Sequence, residues 1–136
     1  MKKIIPIILV SLLTIFGSCS EYKTGEGNLQ YKIVKDAGTP KIGKLAVVFL
    51  TYSERSESGK LLSGTGVYDP RQSEIYVGSP RFKGDLPDAF QYLSEGDSAI
   101  VKISLDSLKK AGYPALPAKD SSKYIVYELK INKVIN

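Results

Sequence analysis

The chain has no histidine, no tryptophan and a single cysteine. Without histidine, a serine or cysteine nucleophile lacks its usual base, and a zinc or haem site lacks its usual ligands. Hydrolase and metalloenzyme chemistries fall away, and neither a metal nor a cofactor is expected. One cysteine cannot form an intrachain disulfide. Basic blocks are missing too: the formal charge of +5 includes Lys2 and Lys3, and the remaining charges alternate along the chain. Nucleic acid is therefore not an expected partner. The neighbouring carboxylates Asp85 and Asp88, and Glu95 and Asp97, read as a helix cap and the turn after it, not as an acid/base pair. The glycines of SGTG, residues 63–66, are followed by no Lys-Ser or Lys-Thr step and open no helix, which excludes a phosphate loop.

The one long apolar run, Ile4 to Phe16, is too short for a bilayer core, which needs about 20 such residues. It follows Lys2 and Lys3 and ends in Phe16-Gly17-Ser18-Cys19, with small residues directly before the cysteine. That pattern reads as a bacterial lipobox, with residues 1–18 a lipoprotein signal peptide. Cys19 then serves as the lipidation site, cut free after Ser18 and acylated, so that the mature protein is held at the membrane by its lipid chains. Residues 19–27 lack apolar periodicity and read as a tether that adds nothing to folding. Residues 28–136 remain as one domain.

Within that domain Leu29, Tyr31 and Ile33 share one face of an expected strand, and Leu45 to Tyr52 is apolar on both faces, as a central strand requires. Residues 53–60 are polar and end in Ser58-Gly59, a hairpin signal. After a turn-rich stretch, Glu74 to Val77 reads as a short strand. One helix is expected from Asp85, whose side chain would accept from the Asp88 N–H, through Leu86, Ala89, Phe90 and Leu93 to a stop at Gly96. Ser98 to Ser104 and Lys123 to Val134 alternate as strands, joined by a long connection stiffened by Pro114 and Pro117. The fold class is α+β: an antiparallel sheet of about five strands wrapped around one short helix.

The phrases FKGDLPDAFQYLSEGDSAIVKISLDSL (residues 82–108) and LPAKDSSKYIVYELKINKV (residues 116–134) resemble the FKBP-type peptidyl-prolyl cis-trans isomerases, particularly a lipoprotein branch found in Bacteroidetes-like bacteria. The resemblance implies a ligand pocket between helix and sheet. It places the pocket side chains at Tyr52 (or Leu50), Leu62, Phe82, Leu86, Tyr113 (with Lys109 as the alternative), Leu116 and Tyr127; no residue is singled out as catalytic. Where the family keeps a Phe-Asp pair this chain has Leu62 and Ser63, and near Ser73 another aromatic is lost, so the implied pocket is degenerate. The function implied is a membrane-anchored prolyl isomerase, weak or selective, acting on proline-containing segments of exported proteins. It would sit at the outer membrane and face the periplasm or the cell surface. The alternative is a non-catalytic chaperone or assembly module of the same fold, docking an envelope protein complex through the loops near Tyr68 and Tyr113.

Overall fold

Ala99, Val101 and Ile103 are buried while Ser98, Ile100, Lys102 and Ser104 stay half-exposed. This period-2 burial marks a strand with one face on a core. The computed structural model describes residues 21–64 and 73–136, with the backbone alone over 73–76. The expected signal segment, Cys19 and Tyr68 lie outside the described residues.

Seven strands are described: β1 (Lys23–Thr24), β2 (Gln30–Lys35), β3 (Val47–Ser56), β4 (Leu61–Gly64), β5 (Ser73–Tyr76), β6 (Ser98–Ser104) and β7 (Tyr124–Ile135). All pair antiparallel, in the order β1-β2-β6-β7-β3-β4, with β5 also on β3. β4 and β5 lie end to end along one edge of β3: Leu50 pairs with Ser73, and Ser53 with Gly64. The other edge of β3 runs the length of β7, from Val47 opposite Ile135 to Ser56 opposite Ile125. β3 is thus the central strand expected. It starts later, because Gly43 to Ala46 forms a turn that leaves Leu45 90 % exposed, and it ends later, because the polar residues Ser53 to Ser56 are paired on both sides.

The antiparallel sheet wraps around α1 (Leu86–Ala89), which continues as a 3₁₀ turn over Phe90–Tyr92. Ala89, Phe90 and Leu93 are fully buried against Val48, Leu50, Val101 and Ile131 of the sheet. The helix stops before Gly96, not at it. Leu93 is extended because its carbonyl accepts from Ile42 N–H and Ser94 bridges to Lys41. Gly96 instead makes the turn into β6 with φ +90, and a Cβ there would lie 2.8 Å from that of Ala37.

Two elements exceed what the pattern announces. α2 (Leu105–Lys110) forms at the start of the long connection, capped by Ser104 and burying Leu105 and Leu108. The segment read as a tether is partly built in: β1 pairs with Gln30 and Tyr31, and Glu26 N–H donates to the Tyr92 hydroxyl at 2.9 Å. Gly27, at φ +60, lies so close to the Lys83–Gly84 backbone that any side chain would collide with it. The physical boundary of the domain therefore lies before residue 28, because the partners of residues 23–27 are supplied by distant parts of the chain.

Candidate functional site

The middle of β7 carries Tyr127 on the inner face, directly between Glu54 of β3 and Val101 of β6. Direct cross-strand partners share a face, so Glu54 points to the same side as Tyr127. Tyr113, on the loop after α2, donates its hydroxyl to Glu54 Oε1. The contact ties the long connection to the central strand.

Arg81 and Asp85 close the opposite side. Arg81 Nε and Nη2 donate to the two carboxylate oxygens of Asp85 at 2.9 and 3.0 Å, and the backbone N–H groups of Arg81 and Leu86 add two further bonds. Asp85 is buried while Arg81 is half-open to solvent. Burial raises the Asp85 carboxyl, but the hydrogen bonds from Arg81 and the backbone outweigh it and hold the group below its ordinary value. This bidentate, charge-assisted pairing displaces the expected cap. The Asp88 N–H donates to the Asp85 backbone carbonyl, and the Asp88 carboxylate reaches back to Gly84 N–H at 2.8 Å.

Tyr127 is only 7 % exposed. Burial, and then the nearby negative charge of Glu54, push its phenol well above the ordinary value, with Tyr113 and Asp85 acting in the same direction and Arg81 against. Tyr113 is raised as well, by burial and by its bond to Glu54. Both hydroxyls are therefore held protonated as donors. Tyr113 spends its proton on Glu54, whereas the Tyr127 hydroxyl makes no hydrogen bond to a described residue.

The seven expected pocket residues all join one apolar assembly. Tyr52, Leu62, Phe82, Leu86, Tyr113 and Leu116 are half-buried and pack against the core cluster that includes Tyr127. The alternatives differ in burial: Leu50 is fully buried core and Lys109 is exposed on α2, whereas Tyr52 and Tyr113 are half-buried. Leu62 lies on β4 beside Ser63, which faces Glu54. Glu54 is the polar member that sequence reasoning missed, and Arg81 stands beside Phe82 at a position the resemblance makes apolar. Glu54 sits in a run that looks like a solvated loop, and only strand alternation carried past Tyr52 would have turned it inward. Among the described residues no cluster of three or more metal-ligating side chains occurs.

Neither a protein-family model nor a curated protein matches the sequence. Solved structures do match its shape. A peptidyl-prolyl cis-trans isomerase from Pseudomonas syringae superposes with a TM-score of 0.64 at 17% identity, covering 85% of this chain and 81% of that one. The N-terminal domain of FKBP42 from Arabidopsis thaliana gives 0.68 at 19% identity, covering 86% and 94%. FkpA from Escherichia coli gives 0.66 at 16% identity over 83% of this chain, which spans about half, 51%, of that one. The fold is that of the FKBP-type isomerases.

Proposed function

We propose that the protein is a lipid-anchored peptidyl-prolyl cis-trans isomerase of reduced or selective activity, acting on proline-containing segments of exported proteins. The anchor is Cys19, and the site is the outer membrane. The observation that carries the activity is Tyr127: its ring is buried on the floor of an apolar assembly, and its hydroxyl is held protonated without a hydrogen bond to a described residue. Rotating an X-Pro bond needs no ionisable group. Its barrier of about 18–20 kcal/mol comes from lost amide resonance, and the twisted amide is less polar than the planar one. An apolar surround formed by Phe82, Leu86, Leu116 and Tyr52 favours the twisted form, and a fixed donor orients its carbonyl.

A second reading, a non-catalytic chaperone or assembly module of the same fold, is favoured by how the other donors are committed. Tyr113 is bound to Glu54 and Arg81 to Asp85, so these two side chains already face protein partners and not a substrate. A protease-free isomerisation assay on residues 19–136 with a proline tetrapeptide separates the two. Acceleration above background supports the enzyme. Binding of the peptide without acceleration, at high protein concentration, establishes the module instead.

A further inference from the structure

The sheet has a second face, which the proposed pocket does not use. Ala99, Val101 and Leu129 point inward, so their strand neighbours Lys102 of β6 and Lys130 of β7 point outward. Registration extends the outer set: Lys32 lies opposite Ile100, Lys102 opposite Val126, Val126 opposite Arg55, and Lys130 opposite Thr51. Four cations, Lys32, Arg55, Lys102 and Lys130, thus share one face, against the strand acids Glu128 of β7 and Glu74 of β5, the latter registered opposite Phe49. Among the described residues Glu21 adds an acid beside the start of β1. Exposed apolar side chains accompany them, Val34 at 59 % and Leu61 at 41 %. A groove of about 510 Å³ opens between Val34, Ile100, Thr51 and Lys130.

The chain reaches the domain at this face. Tyr22, immediately before β1, lays its ring under the Lys102 ammonium at 4.4 Å and the Lys32 ammonium at 5.8 Å. Two residues, Ser20 and Glu21, separate Tyr22 from Cys19, so the three steps between them reach at most about 11 Å at 3.3–3.6 Å per residue. We infer that the outer sheet face around Tyr22, Lys32, Lys102 and Lys130 docks on the anionic phospholipid headgroups of the membrane that holds the anchor. The inference rests on the anchoring reading.

Anchoring already confines the face to within a short tether of the headgroups, so the effective concentration is high and a modest attraction is enough to fix orientation. Lysines near an anionic surface supply that attraction within a Debye length of about 8–10 Å at physiological salt. The cation-to-acid imbalance gives it a sign, and Tyr22, with its apolar ring and polar tip, suits the water–lipid boundary. Docked this way, the inner face with Tyr127 and Arg81 turns from the bilayer toward soluble chains.

The test uses the acylated protein reconstituted in vesicles of neutral phospholipid alone or mixed with an anionic phospholipid. Amine labelling read by mass spectrometry then compares Lys32, Lys102 and Lys130 with Lys83 beside the pocket and Lys119 on the long loop. The expected result is at least threefold slower labelling of the first three in anionic vesicles only, abolished by about 0.5 M salt and, at Lys32, by K102E/K130E, with Lys83 and Lys119 unchanged. A protein that floats with vesicles while all five lysines label alike overturns the docking and leaves the anchor standing. A protein that does not float overturns both. Equal protection in detergent, without lipid, assigns the face to a second copy of the chain and also overturns the proposal.

Discussion

Tyr127 bears the proposed chemistry on one oxygen, and its aromatic ring is core. Tyr127→Phe should therefore keep the melting temperature near that of the parent while lowering kcat/KM about tenfold, the effect of some 1.4 kcal/mol of lost transition-state stabilisation. Equal activity of the two in the isomerisation assay would remove the hydroxyl from the mechanism. The same residue sets an alkaline limit. Its folded pKa is raised above the ordinary value of 10.0, so its contribution is complete below pH 10.0 and is lost as pH climbs above it, at about 1.4 kcal/mol per pH unit. Chemical denaturation at stepped pH should show that decline, flattened in Tyr127→Phe. Arg81→Ala acts oppositely on the pH axis. It leaves the buried Asp85 carboxylate without its cation, costing on the order of 1–2 kcal/mol near neutrality, since Arg81 is half-exposed and two backbone N–H bonds to Asp85 remain. In the parent the depressed Asp85 pKa makes the pair's contribution present above the ordinary carboxyl value and lost as pH falls through the folded one. Arg81→Ala should erase that acid-side loss, as a urea titration from pH 7 to 3 would reveal. Repair is also testable: Leu62→Phe with Ser63→Asp should raise activity roughly tenfold if these two positions limit the pocket, measured in the same assay.

At the scale of elements, the strands were legible wherever burial alternated. Tyr31 and Ile33, Ala99 to Ile103, and Ile125 to Ile131 each report one buried face through period-2 spacing, and the single apolar stripe Leu86–Ala89–Phe90–Leu93 announces the helix that the sheet encloses. What stayed hidden depends on partners far away in sequence. β1 is two polar residues with no pattern of its own, stabilised through Tyr31 and, next to it, Tyr92, whose rings stack at 4.5 Å. α2 buries only Leu105 and Leu108, too few to display a helical period. The site splits in the same way. Its apolar members could be carried over by position, whereas Glu54 and Arg81 acquire meaning only from Tyr113, Tyr127 and Asp85 once the strands are registered. A deletion separates the two accounts of the N-terminal segment. Removing residues 1–27 should lower stability by on the order of 2 kcal/mol, for the lost Glu26 bond to Tyr92 and the β1 ladder, whereas removing residues 1–21 should not. Identical melting curves for the two truncations would restore the segment to a plain tether.

For the molecule as a whole, the sheet has two chemically different sides: an inner one that holds the tyrosines and the Arg81–Asp85 pair, and an outer one that carries Lys32, Arg55, Lys102 and Lys130. β1 stands where they meet. It is an antiparallel ribbon only two residues long, doubled back on β2 through the turn at Gly25–Leu29. Suppose a client chain caught in the pocket is pulled while the acyl group holds fast. The load then enters at Tyr22 and runs along β1, whose ladder bonds are stressed one after another as in a zip fastener and not all together in shear. The ring over Lys102 lets go first, the two residues of β1 next, and the long β3–β7 ladder bears force only after that slack has been paid out. Under the proposed anchoring, the short strand would act as a mechanical fuse, giving the enclosed core several residues of extra leash before its own hydrogen bonds feel the pull.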